Sequence, residues 1–121
     1  MQTLLVVFVS LVALEHLYFL YLEMFLWTKD KGLKTFGNTP EQAAMTKTLA
    51  ANQGLYNGFL AAGLIWSLFH PDAQMAVQIQ LFFLVCIIVA AVYGGITAKR
   101  SILYIQGAPA LIALIVLLVA G

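Results

Sequence analysis

VALEHLYFLYLEMFLW, residues 12–27, sets two glutamates and a histidine inside a run that is otherwise oily. The apolar run extends back towards Thr3 with no Lys or Arg before Glu15, so its length suits a membrane-crossing helix, which needs about 20 mostly apolar residues. It is too long for the apolar core of a signal peptide and is read as a retained helix. Three ionisable groups in such a helix need shielding, because hydrocarbon offers no partner to a carboxyl or an imidazole. The question is what shields them.

The rest of the chain has the same character. Of 121 residues, 63% are hydrophobic and 9% charged, and the mean hydropathy is +0.96. A soluble domain of this size cannot bury that much apolar surface, which places the chain among integral membrane proteins. Its expected partner is the lipid bilayer. The net charge of +1 lacks the basic patch that nucleic-acid binding requires. Cys86 is the single cysteine, so no disulfide forms within the chain and no multi-thiolate metal site is available. No set of His, Cys, Asp and Glu has metal-ligand spacing, and no Gly-rich loop follows a strand. Neither metal nor cofactor is expected.

Four apolar segments are long enough to span, at about 3–27, 50–69, 78–98 and 102–120. The runs are continuous rather than alternating, which excludes barrel strands. The expected fold is an all-α membrane protein, a single four-helix transmembrane bundle over residues 1–121. Lys29, Asp30 and Gly32 end the first helix. Thr39-Pro40-Glu41-Gln42 starts the next, with Thr39 as N-cap, Pro40 in the first helical position and Gln42 closing a capping box. His70-Pro71-Asp72 breaks the chain again as a solvated turn, and Lys99-Arg100-Ser101 makes a tight final one.

All six cations fall on one side. Lys29, Lys31, Lys34 and Lys47 lie between the first two spans, Lys99 and Arg100 between the last two. The excess of Lys and Arg in cytoplasmic loops then makes both connections cytoplasmic and both termini external, as for a multi-pass protein of the cell membrane.

With that orientation, depth follows from a rise of about 1.5 Å per residue. Glu23 falls near the inner end of the first span and His16 near the midplane. Seven residues apart, they share a face, whereas Glu15 points nearly a quarter-turn away. Asn52, Gln53, Tyr56 and Asn57 lie in the inner part of the second span, Tyr93, Gly94, Gly95 and Thr97 in that of the third, and Tyr104, Gln106, Gly107 and Pro109 in that of the fourth. The outer halves are nearly pure hydrocarbon. This sorting predicts a polar pocket in the cytoplasmic half, lined by His16, Glu23, Asn52, Gln53, Tyr56, Asn57, Tyr93 and Gln106. Gly54, Gly58 and Ala62 form a small-residue ridge suited to close helix approach, including that of a second copy of the chain, and Ala91 with Gly95 a shorter one. Pro109 should kink or loosen the fourth helix.

His16, Glu23-Met-Phe-Leu-Trp27, Asn52-Gln-Gly-Leu-Tyr-Asn-Gly-Phe59, Tyr93-Gly94 and Gln106-Gly-Ala-Pro109 resemble the bacterial membrane proteins grouped as domain of unknown function 1304. The resemblance covers essentially the whole chain. It implies a small four-helix protein of the cytoplasmic membrane and names no activity. Glu15 lies outside the resembling positions.

Each polar residue has a plainer reading as well. Glu23 either reaches water beside Lys29 or Lys31, or sits in the pocket hydrogen-bonded to Asn52, Asn57 or Tyr93. His16 is either a satisfied core histidine or a proton relay with Glu23. Glu15 is a neutral bridging group between helices or, with Glu23 and His16, proton-coupled. The amides either join helices or hold a ligand. Trp27, Trp66 and Tyr104 suit interfacial anchoring, and Cys86 suits inert packing. Three functions follow. One is a protein that binds or carries a small amphipathic molecule or lipid. Another is a proton-coupled exporter using Glu15 or Glu23, although the glycine and tryptophan patterns of small multidrug transporters are missing. The third is a membrane-embedded isomerase-like or transferase-like enzyme, an analogy of architecture alone.

Overall fold

A computed structural model describes residues 1–120; Gly121, the last residue of the expected single domain, lies outside them. The described residues are all-helical, with no strand among them. Five helices follow one another: α1 (Gln2–Phe25), α2 (Asp30–Phe36), α3 (Pro40–Phe69), α4 (Ala73–Thr97) and α5 (Arg100–Ala120). Three of them, α1, α4 and α5, are long and apolar enough to cross a membrane. At 24, 25 and 21 residues they extend about 30–38 Å, matching a hydrocarbon core of about 30 Å. α3 contains the expected 50–69 span within a helix of 30 residues, about 45 Å long. The polar residues Lys47, Asn52, Gln53 and Asn57 in its first two-thirds keep it out of that apolar class.

The helix ends follow local chemistry. The Thr39 amide donates to Gln42 Oε1 at 3.0 Å and the Gln42 amide to Thr39 Oγ1 at 3.1 Å, the reciprocal pair of a capping box. Asp72 caps α4 by accepting from the Gln74 and Met75 amides. The short α2 was not expected from the sequence. It starts with Asp30 in its first turn and stops at Gly37, whose φ of 70° is open to glycine at no steric cost. The Gly37 and Asn38 amides both return to the Leu33 carbonyl. Gly32 is buried against the chain before it, and any Cβ there would collide with the Leu26 carbonyl.

Two compact units are formed, one by residues 14–61 and the other by Met1–Ala13 with the chain from Ala62 onward. In the first, the buried stripe of α3 runs through Ala43, Ala50, Gly54, Asn57 and Ala61, one face of a helix. Gly54 and Gly58 rest on α1, where a Cβ at Gly54 would stand 2.8 Å from Met24 Cγ and 3.0 Å from Glu23 Cβ. These two members of the small-residue ridge therefore serve an approach within the chain; Ala62 is exposed. Trp27 donates to Thr46 Oγ1 at 3.1 Å and stacks on Phe36, joining α2 to the same unit.

In the second unit, α4 buries Gln80, Leu84, Ile87 and Ala91, again a single face. α5 buries Gly107, Ala110, Ala113, Val116 and Leu117. The two helices approach closely where Gly95 faces Leu103 and Ala91 faces Gly107. Residues Leu103–Gly107 wind as a π-helical turn just before Pro109. Proline offers no N–H to the preceding turn, and its ring crowds the carbonyl four residues back, so the wider turn relieves both problems. The expected loosening at Pro109 takes this form.

Candidate functional site

Glu23 is the centre of an interhelical polar cluster within residues 14–61. Its side chain is only 2% exposed, yet both oxygens are partnered. Asn57 Nδ2 donates to Oε1 and Gln53 Nε2 to Oε2, each at 2.6 Å. The two donors are four residues apart on α3, so they stand one above the other on one face and reach both oxygens of a single carboxyl. Gly54, between them, lets α3 come close enough for these short bonds. Among the described residues Glu23 makes no ion pair, and Lys31 instead lies 6.0 Å above the Tyr18 ring. The snorkelling alternative is thus not the observed arrangement.

The other anticipated residues are distributed unevenly. His16 is fully buried two turns before Glu23, with Phe19 edge-on to its ring. Asn52 is exposed and donates to the Thr48 carbonyl on its own helix at 3.0 Å, not to Glu23. The reason is helical phase: Gln53 and Asn57 are about 40° apart around α3, whereas Asn52 is about 140° from Asn57. Tyr56 is exposed and packs on Phe59. Tyr93, 70% exposed, and Gln106, half-buried, belong to the other unit. Glu15 is half-buried, with Oε1 enclosed, without a hydrogen-bond partner and 4.0 Å from His16 Nδ1.

Two apolar hollows lie elsewhere. One is a shallow apolar groove on α4 bordered by Leu81, Val85 and Cys86; the other runs between α4 and α5. Two further polar groups escaped the sequence reading. Ser67 is buried and donates to the Leu64 carbonyl, while Gln80 is buried with its Oε1 unpartnered. The signal for Gln80 was present, as a carboxamide between Ile79 and Leu81 in an apolar span. No group of three potential metal ligands occurs among the described residues.

Chemically, the Glu23 cluster is an acceptor satisfied by two neutral donors. Gln53, which donates to one of the two carboxyl oxygens, is an exposed residue. Asn57, the other donor, is buried, at 9% exposed.

The model of the family described as "Protein of unknown function (DUF1304)" matches residues 10–118. The "Uncharacterized protein YpaA" of Lactococcus lactis subsp. lactis (strain IL1403) is 38% identical over 117 residues, covering 94% of this chain and 97% of that protein. No solved structure matches the chain. A match that takes in Glu23, Gln53, Asn57 and the π-helical turn alike leaves one conclusion: the chain belongs to the DUF1304 family.

Proposed function

We propose that the chain is a multi-pass protein of the cytoplasmic membrane that binds or carries a small amphipathic molecule, whose polar end is received by Glu23, Gln53 and Asn57. In this reading α3 supplies the fourth span. It begins in water at the Thr39–Gln42 capping box and runs into the bilayer, its last third, 60–69, being mostly apolar. The one-sided distribution of Lys and Arg orients the α1–α3 and α4–α5 connections to the cytoplasm and both termini outward.

The observation that carries the proposal is the carboxyl of Glu23, buried and bracketed by two amides, one of them from the exposed Gln53. A ligand hydroxyl or amine taking the place of Gln53 would exchange one donor for another. Such an exchange leaves no acceptor bare, so its cost is small compared with the about 1–3 kcal/mol of an unmade bond. The apolar remainder of the ligand would remain in lipid.

Native mass spectrometry of gently extracted protein tests this. The wild type should retain a bound small molecule, and Glu23→Gln, which presents an amide to two amide donors, should lose it while remaining folded. Identical adducts on both proteins would contradict the proposal.

One observation favours a second reading, proton-coupled export. The enclosed Glu15 oxygen near His16 is the kind of unsatisfied intramembrane group that marks ion pathways. Glu15→Gln should then abolish proton-coupled uptake in proteoliposomes, while Glu23→Gln bears on the first reading.

A further inference from the structure

The hollow between α4 and α5 is one-sided in a way that its neighbour is not. Ile88 and Val92 of α4 line one side, Leu103 and Leu111 of α5 the other, and the floor is the close contact of Gly107 with Ala91. Its surface is almost wholly carbon. From Tyr104 to Leu111 it extends about 10 Å along α5, the depth of part of an acyl chain. Just before it in the chain, the α4–α5 turn carries Lys99 and Arg100, both exposed, about one helical turn from the exposed Tyr104. The groove at Leu81, Val85 and Cys86 has no such neighbours. The chain segment before that groove, 70–80, contains Asp72 and no Lys or Arg.

We infer that the α4–α5 groove binds an anionic phospholipid, with one acyl chain lying over Gly107 and the phosphate held by Lys99 and Arg100. Charge complementarity selects this occupant. Basic residues at the cytoplasmic end of an apolar interhelical groove attract anionic headgroups, whereas a zwitterionic lipid gains little from them. The phenol of Tyr104 stands at the level where a tyrosine belongs, between headgroup and hydrocarbon. The π-helical turn, Leu103–Gly107, forms the α5 side of the groove at this level. The inference rests on the membrane placement proposed above, but not on the ligand of Glu23.

The test uses the whole chain in detergent, titrated with phosphatidylglycerol or phosphatidylcholine and followed by native mass spectrometry. One phosphatidylglycerol per chain should be held in preference to phosphatidylcholine. Lys99→Gln with Arg100→Gln should weaken its binding about 25-fold, about five-fold for each cation. Ala108→Phe, which fills the groove from an exposed position, should weaken it with both cations intact, as should Leu111→Trp. Val85→Phe, in the other groove, should leave it unchanged. Equal retention of the two lipids would overturn the inference. So would undiminished binding by both groove-filling variants that melt like the wild type, since the cations would then act without the groove. If the protein were recovered from cells without detergent, the membrane placement itself would fail. A loss of phosphatidylglycerol in the charge variant leaves the Glu23 reading standing.

Discussion

In residues 14–61, α1 and α3 meet through a carboxyl and two carboxamides, whereas α4 and α5 meet through glycine and alanine. Both contacts bring helix backbones close together, and a glycine makes room in each. They differ in what determines the geometry. Glu23 can be satisfied only at one rotation and one height of α3, because two donors four residues apart must reach its two oxygens. The α4–α5 contact is determined by shape, through Leu103 over Gly95 and Gly107 over Ala91. Polar partners give one solution at high penalty for error. Small residues give closeness, and they fail when volume is added.

The largest expected effect falls on the shape-determined contact. At Gly95 a Cβ would stand 2.8 Å from Leu103 Cβ and 3.5 Å from its backbone nitrogen, so relief requires backbone movement. Gly95→Leu should destabilise by about 2–3 kcal/mol, read from thermal unfolding in detergent. An unchanged midpoint would show that α4 and α5 do not depend on their close approach. Asn57→Ala comes next, at about 1–2 kcal/mol, since Oε1 of a buried carboxyl loses its donor. Gln53→Ala should cost less, under about 1 kcal/mol, because water or lipid headgroups can reach the exposed side of the cluster. Asn52→Ala is the smallest, within about 0.5 kcal/mol. The order of Asn57, Gln53 and Asn52 sharpens the comparison, because all three are carboxamides within two turns and only their direction differs.

That direction shows how far a sequence can be read. Apolar runs located α1, α4 and α5, and Thr39 with Gln42 located the start of α3, because length and capping are local properties. Depth placed Asn52, Asn57 and Tyr93 as possible partners of Glu23, without choosing among them; the structure pairs it with Asn57 and with Gln53. Gln53 was distinguishable from Asn52 by helical phase, though depth alone treats them alike. α2 was hidden because Lys29, Asp30 and Gly32 read as the end of one helix, not the start of another; Gly37 was the available stop signal. The exposed Tyr93 illustrates the opposite limit. Its level along α4 follows from the sequence, but the face it occupies depends on how that helix packs.

Pairing between Glu23 and Asn57 is the claim on which the site depends, and a double-mutant cycle measures it without further assumptions about ligands. Glu23→Ala, Asn57→Ala and the double variant are compared with the wild type by thermal unfolding in the same detergent. The predicted result is a coupling energy of about 1 kcal/mol or more, so that the second substitution costs little once the first is made. Additivity of the two effects to within about 0.3 kcal/mol would contradict the pairing.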